Sequence, residues 1–209
     1  MKNEDYHEKI RTMLNDSAYR EITRDPTEAI TGKTSALLKK SGLPAETCQS
    51  LIPQAAVPPR LYGLPKVHKE GIPLRPIVNG INSPTYLLAR YLSKLLTPLI
   101  GESNRAVKNS AEFVTTLKQL KLDNGGMLVS FDVVSLFTKV PIQESLILIE
   151  EKLGEEITPL FRHALTSNYF LYQGNSGGAA FLKSFEGLRS MISRVYEEMR
   201  RFGRNCRIT

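Results

Sequence analysis

The spacing of apolar and polar residues predicts a helix-rich chain with few strands. Residues 4–15 and 27–40 carry apolar residues at helical spacing, and a turn at Asp25-Pro26 separates them. The most regular helix opens at Ser83-Pro84, with the serine as its expected cap. Its apolar stripe is expected to be core and comprises Leu87, Leu88, Tyr91, Leu92, Leu95, Leu96 and Leu99.

The same pattern predicts three later helices and two strands. The helices are residues 110–121, 142–153 and 181–202, and the last of them is long, amphipathic and basic. Residues 127–131 form an apolar run after a glycine turn and are typical of a buried strand. Residues 170–172 form the second predicted strand.

A proline-rich segment lies between these helical regions. Residues 52–76 hold six prolines, which exclude a long helix and favour turns. A linker between domains would have a similar proline content, but Leu61-Tyr62-Gly63-Leu64 and Leu74-Arg75-Pro76-Ile77-Val78 are too apolar for one. We therefore predict a β-hairpin that turns at Lys69-Glu70-Gly71.

Composition narrows the class of protein. The 209 residues are 41% hydrophobic and 23% charged, which is ordinary for a globular domain. The two cysteines, Cys48 and Cys206, are too few and too far apart for a disulfide framework or a cysteine zinc site. The sequence shows no signal-peptide pattern and no apolar run of about 20 residues. We therefore expect an intracellular chain, nuclear or cytoplasmic, with no membrane partner.

The net charge of +7 is unevenly distributed. Residues 60–121 carry ten Lys and Arg against three Asp and Glu, whereas residues 122–175 carry three against seven. A basic block followed by an acidic one suits a site that holds a polyanion beside a divalent metal. Ordinary solvated surface charge is the alternative interpretation.

Two features are candidates for chemistry. Asp132 directly follows the apolar strand at 127–131, so its carboxylate either lies at an exposed sheet edge or faces a metal ion. Lys66 and Arg75 place two cations on the proline-stiffened hairpin, an arrangement that suits a triphosphate. A basic surface loop is the simpler interpretation of the hairpin alone.

Several motifs then occur in a consistent order. The hairpin segment reads Arg60-Leu61-Tyr62-Gly63-Leu64-Pro65-Lys66-Val67-His68-Lys69, and Leu74-Arg75-Pro76-Ile77-Val78 and Ser83-Pro84-Thr85-Tyr86 follow it. The strand continues as Phe131-Asp132-Val133-Val134-Ser135-Leu136-Phe137-Thr138-Lys139-Val140-Pro141. With Asp25-Pro26-Thr27 upstream, these motifs resemble the fingers and the first palm motif of Penelope-like element reverse transcriptases over about residues 15–175. Telomerase catalytic subunits, relatives of that family, share the Pro-Lys and Arg-Pro-Ile pieces.

The resemblance implies RNA-directed DNA synthesis on an RNA template and a DNA primer, with Mg²⁺ as cofactor. The implied fold is α+β and is part of a right-hand polymerase: fingers and the first part of the palm, with a small incomplete sheet. The C-terminal amphipathic helix predicted from the apolar spacing lies beyond the resemblance. The implied roles are Asp132 as the catalytic, metal-binding carboxylate, Lys66 and Arg75 as triphosphate ligands, the Val133 carbonyl as a further ligand, and Phe137 as the steric gate. Lys69, Tyr86, Arg90 and Lys94 are the implied contacts to nucleic acid.

The chain departs from the family after residue 174. Two dications need more than one carboxylate, and the family supplies the others from a later Asp-Asp hairpin. Asp132 is the last aspartate of this sequence, and the nearest substitute, Tyr196-Glu197-Glu198, lies in a helical pattern. We therefore expect a polymerase that is truncated within its palm and inactive as this chain; a second chain that completes the palm is an open question.

This interpretation divides the chain into four segments. Residues 1–59 are the helical part of the fingers, 60–121 the basic fingers with the hairpin, 122–175 the partial palm, and 176–209 a divergent basic tail. Two other hypotheses stay open. The chain is either a non-catalytic module that binds RNA or DNA, or a non-functional remnant of a retroelement.

Overall fold

A computed structural model describes residues 2–15, 19–99, 109–119, 142–172 and 179–182. Seven α-helices and five strands lie in these ranges. The helices are α1 (Asn3–Leu14), α2 (Thr27–Lys40), α3 (Ala45–Leu51), α4 (Tyr86–Leu96), α5 (Ser110–Gln119), α6 (Ile142–Leu153) and α7 (Thr158–Thr166). The strands are β1 (Arg20–Ile22), β2 (Arg60–Pro65), β3 (Leu74–Asn79), β4 (Phe170–Tyr172) and β5 (Ala179–Leu182).

The five strands form one small mixed sheet in the order β1-β5-β4-β2-β3. β2 is antiparallel to β3 along its whole length and parallel to β4, where Arg60 pairs with Leu171. β5 is antiparallel to both β4 and β1. The helix-rich α+β class is therefore confirmed. Each of the four predicted segments contributes at least one strand to this sheet, and their boundaries stay a prediction.

The larger hydrophobic cluster lies among five helices: α2, α3, α4, α6 and α7. We call these helices and their shared cluster the helical half. Its predicted core stripe on α4 is confirmed: Leu88, Leu92 and Leu96 are fully buried, and the remaining members are partly buried against the same cluster. Residues four apart share one helix face, so the burial of these leucines leaves Arg90 and Lys94 exposed.

A smaller hydrophobic cluster joins α1 to the sheet, and we call this part the sheet half. Its buried members are Ile10, Leu14, Leu61, Phe170 and Tyr172. Successive side chains of a strand point to opposite faces of the sheet. Leu61 and Gly63 of β2 are accordingly buried towards α1, whereas Tyr62 and Leu64 are exposed.

Most predicted elements are confirmed within a residue or two at each end. These are α1, α2, α5, α6, strand β4 and the hairpin. Gly154 directly follows α6 with a φ of 92°, a left-handed conformation that favours glycine at a helix end. The predicted strand at 127–131 lies outside the described residues.

Two details of the sequence prediction are wrong. Ser83 does not cap α4, because a turn comes first: the Tyr86 N–H donates to the Ser83 carbonyl, and the helix begins at Tyr86. The Ser83 hydroxyl is buried and has no hydrogen-bond partner among the described residues. The helix predicted from 181 is also wrong at its start, because residues 181 and 182 pair with β4 and β1 as part of β5; the rest of that segment lies outside the described residues.

Candidate functional site

The β2–β3 hairpin brings two predicted site residues to the same end of one sheet face. Arg75 pairs with Leu64, and the Lys66 N–H donates to the Pro73 carbonyl at 2.9 Å, so the pairing continues past both strands. Lys66 is therefore the diagonal neighbour of Arg75. Such positions lie about 7–8 Å apart, within reach of two long side chains.

The solvent face of this hairpin combines aromatic, apolar and cationic side chains. Tyr62 is 42% exposed and Leu64 is 47% exposed, although both are large and apolar in character. Arg60 is exposed at the start of β2, at the opposite end from Arg75. The exposed ring lies between cations on one face of the hairpin. We call this surface the hairpin face, and it comprises Arg60, Tyr62, Leu64, Lys66 and Arg75.

The tip of the hairpin is an ordered turn. The Lys69 N–H donates to the Lys66 carbonyl at 3.0 Å, and the Ile72 N–H donates to the Lys69 carbonyl at 3.1 Å. Gly71 and Ile72 have positive φ values of 69° and 45°. Lys69, predicted to contact nucleic acid, is exposed at this tip.

Helix α1 holds the hairpin from the other side. The Gly63 N–H donates to the Tyr6 hydroxyl at 2.7 Å, and the Lys9 ammonium donates to the Gly71 carbonyl. A Cβ atom at position 63 would lie only 2.8 Å from Cδ1 of Ile10. Glycine at position 63 therefore allows the close approach of α1 that fixes the hairpin in place.

Pro76 occupies a position in β3 where its missing N–H removes no hydrogen bond between β2 and β3. The hydrogen bond from Lys66 to Pro73 sets the register, so Arg75 and Ile77 direct their backbone groups towards β2 and Pro76 directs its own outwards. β3 is the last strand of the described sheet, and proline is tolerated on such edges. The Arg-Pro-Ile sequence is thereby compatible with a strand.

The other predicted site residues are not brought to the hairpin. Arg90 and Lys94 are exposed one turn apart on α4, which packs against α3 and α7 in the helical half. Tyr86 is half-buried at the first turn of the same helix. Asp132, Val133 and Phe137 lie outside the described residues, so their predicted roles stay predictions.

The described ranges offer no alternative metal site. Within them, no group of three or more His, Cys, Asp or Glu residues is placed to hold a metal ion. The predicted Mg²⁺ site rests on Asp132 and stays a prediction. In the same ranges, no helix has the length and apolar character needed to cross a membrane.

Among the described residues, the strongest pKa shift belongs to His163, which the sequence analysis did not single out. His163 of α7 is buried in the helical half, with Nε2 2.9 Å from the Thr34 hydroxyl and Nδ1 3.0 Å from the Ser167 hydroxyl. Thr34 donates its own hydrogen to the Ile30 carbonyl, so it accepts from His163 Nε2–H, and Nδ1 accepts from Ser167. Burial, followed by the nearby Lys33 charge, lowers the pKa of His163 to about 4.

This arrangement makes His163 a structural link between α2 and α7. A base with a pKa of about 4 is a poor proton acceptor at neutral pH. Both ring nitrogens already have partners, and no apolar pattern in the sequence distinguishes this histidine from a surface one. A cavity of about 420 Å³ beside it is lined by Lys33 and Arg162, together with Glu150 and Glu155, so its charges balance.

The motif Asp25-Pro26-Thr27 contacts Tyr169, which lies late in the part of the chain that the resemblance covers. The Thr27 N–H donates to the Asp25 carboxylate at 2.8 Å, so the Asp25 side chain satisfies the first backbone N–H of α2. The Thr27 hydroxyl also donates to Asp25, so it accepts from the Tyr169 hydroxyl at 2.6 Å. Burial and the Asp25 charge raise the pKa of Tyr169 to about 12, which keeps it a donor. This chain of hydrogen bonds fixes the start of β4 to the start of α2.

Comparisons with known proteins give no independent assignment. No protein-family model matches the chain, and no curated protein and no solved structure matches it either. Its function therefore has to be argued from the motifs and from the hairpin face.

Proposed function

We propose that the hairpin face binds single-stranded nucleic acid, as part of the fingers of a polymerase of the reverse transcriptase class. The particular class suggested by the motifs is the Penelope-like element reverse transcriptases. The observation that carries the proposal is the placement of Arg75 and Lys66 at one end of a face whose centre is the exposed ring of Tyr62. Cations bind phosphates, and an exposed ring stacks on a base.

The rigid support of the hairpin strengthens this proposal. Binding is tighter when less side-chain and loop freedom is lost on association. Tyr6 and Lys9 of α1 hold β2 and the hairpin tip through hydrogen bonds, so the backbone that carries the cations is fixed before any ligand arrives. A basic loop on an unstructured segment would lack this support.

Two versions of the function remain, and Asp132 separates them. In the catalytic version, Asp132 would hold Mg²⁺ with help from the Val133 carbonyl. Phe137 would exclude ribonucleotides, and Lys66 and Arg75 would bind the incoming triphosphate. In the binding version, the same cations hold RNA or DNA without chemistry. The sequence favours the binding version for these 209 residues, because Asp132 is their last aspartate and two-metal catalysis needs further carboxylates.

Primer extension tests the catalytic version. We expect no incorporation of deoxynucleotides on an RNA template with a DNA primer, in either Mg²⁺ or Mn²⁺. Template-dependent incorporation that the Asp132→Ala variant abolishes would show that the chain is an active polymerase, and would overturn the binding version.

Salt-dependent binding tests the hairpin face itself. We expect a labelled single-stranded RNA to bind with an affinity that falls steeply between about 50 and 200 mM salt. Removing both cations in Lys66→Ala with Arg75→Ala should weaken binding roughly tenfold and reduce the salt slope by about 1.4, because each phosphate contact contributes about 0.7 on a single strand. Fluorescence anisotropy at several salt concentrations measures both quantities.

The matched control is the pair Lys39→Ala with Lys40→Ala. Both lysines are exposed at the end of α2, so this variant loses the same net charge in the helical half. It should keep both the affinity and the salt slope. Equal losses in the two double variants would mean that diffuse charge, and not the hairpin face, binds the RNA.

A further inference from the structure

A groove runs between α1 and the hairpin tip, on a different part of the hairpin from the cationic face. Its volume is about 790 Å³, within the range of binding clefts. Apolar side chains form much of its lining: Met13 from α1, and Ile72, Pro73 and Leu74 from the hairpin. Ile72 is 36% exposed, and Pro73 is also exposed. We call this feature, with Asp5 and Glu8 at its rim, the α1 groove.

The rim of the α1 groove is acidic, in a chain whose net charge is +7. Asp5 and Glu8 are exposed and three residues apart on α1, so they lie one turn apart on the same face. Neither carboxylate has an ion-pair partner among the described residues. The ammonium of Lys9 also lines the groove and donates to the Gly71 carbonyl, so two carboxylates and one ammonium give the lining a net negative charge.

The backbone at Ile72 shows how firmly the hairpin wall of the groove is held. Its φ of 45° lies in the left-handed region, which a β-branched residue rarely adopts. The bonds of Lys9 to Gly71 and of Ile72 to Lys69 hold the tip in this conformation. Strained residues of this kind persist where the surrounding structure fixes them, and they cluster at binding sites. Here the fixed residue lines an apolar groove.

We propose that the α1 groove docks an amphipathic segment of a partner protein. Apolar side chains of that segment cover Met13, Ile72 and Leu74, and its Lys or Arg residues pair with Asp5 and Glu8. The two rim carboxylates are unfavourable for nucleic acid and anionic lipid at this position, so charge complementarity favours a basic peptide. The spacing of the two carboxylates suits basic residues one helical turn apart. This docking is separate from nucleic-acid binding by the hairpin face.

Two synthetic peptides and a charge reversal test the proposal. One peptide is an amphipathic helix with leucines on one face and flanking lysines, and the other has glutamates in place of the lysines. Titration calorimetry with the full chain should show binding of the lysine peptide. The reversed variant, Asp5→Lys with Glu8→Lys, should bind it roughly tenfold more weakly and should gain affinity for the glutamate peptide.

A second reversal separates the groove from overall charge. Glu28→Lys with Glu46→Lys adds the same charge at exposed residues in the first turns of α2 and α3, and it should leave the affinity for the lysine peptide unchanged. Circular dichroism of both variants confirms that they remain folded. The proposal is overturned if neither peptide binds the native chain, if both bind equally, or if the two reversals weaken binding to the same extent.

Discussion

The helical half and the sheet half differ in the size of their cores and in what their polar side chains hold in place. In the helical half, twelve buried residues of the described part of the chain form the hydrophobic cluster, and buried polar groups such as His163 and Thr34 are satisfied by one another. In the sheet half, five buried residues of the described ranges form the cluster, and polar side chains of α1 complete the bonding of the strands, as Tyr6 does for Gly63.

This difference suggests that the helical half mainly stabilises the fold, whereas the sheet half presents the surface for ligand binding. A large core with internally paired polar groups leaves little chemistry for a ligand, and the histidine it contains is held neutral. A thin core that is braced by α1 leaves the outer face of the hairpin uncovered in the described part of the chain, with Tyr62 and Arg75 exposed on it. We therefore expect changes in the helical half to affect folding first, and changes in the sheet half to affect binding as well.

The largest expected effect comes from His163 and its pH dependence. The pKa of His163 is 6.5 when unfolded and about 4 when folded, so between these values the unfolded chain binds a proton that the folded chain does not. The stability that the neutral ring provides is fully present above pH 6.5 and is lost as the pH falls towards 4. This loss should be on the order of 2–3 kcal/mol, measured by urea unfolding from pH 7 to pH 4.

Side-chain carboxyl groups also change protonation at acidic pH and therefore contribute to the loss of stability. A variant without the imidazole of residue 163 is needed to isolate the contribution of His163. His163→Gln should lower the stability at pH 7 and flatten the pH profile by the amount that His163 contributes. His68→Gln, at an exposed position of the hairpin tip, is the matched control and should keep the native profile. Identical profiles for all three proteins would mean that the link between α2 and α7 does not depend on a neutral ring.

The sequence predicted the elements whose pattern is local. The leucine stripe of α4 has helical spacing over three turns, and the glycine that ends α6 is visible as Gly154. The helix α7 was missed although Thr158-Pro159 is a recognisable start and the buried residues Leu160, Phe161, Ala164 and Leu165 have helical spacing. With nine residues, the helix is too short for this spacing to form a strong periodic signal.

Features that depend on contacts between distant residues could not be predicted from the sequence pattern. Ser83 has the chemistry of a helix cap, but the turn from 83 to 86 delays the helix. β1 and β5 are three and four residues long and exist as strands through their pairing across the whole chain. Of the candidate site, Lys66 and Arg75 were predicted from their motif, whereas the bracing of their hairpin by Tyr6 and Lys9 required the packing of α1.

Replacing one glycine in each half by alanine should change the free energy of unfolding by a smaller amount, and in opposite directions. A Cβ at position 63 would lie 2.8 Å from Cδ1 of Ile10 and 2.9 Å from Cδ1 of Leu74, so Gly63→Ala should lower the free energy of unfolding by about 1–2 kcal/mol. Gly32 lies exposed inside α2 with nothing within 4 Å of such an atom. Gly32→Ala should therefore raise the free energy of unfolding by about 0.5–1 kcal/mol. Urea unfolding at neutral pH measures both.

The same two variants connect stability to binding when they are tested with the labelled RNA. Gly63→Ala crowds Ile10 of α1 and Leu74 of β3 and should weaken RNA binding, even though the alanine carries no charge and lies on the buried face of β2. Gly32→Ala should leave the affinity unchanged, because α2 belongs to the helical half. A Gly63→Ala protein that is destabilised but binds RNA normally would mean that the cations act independently of the brace, and the proposed link between the α1 contact and the hairpin face would fail.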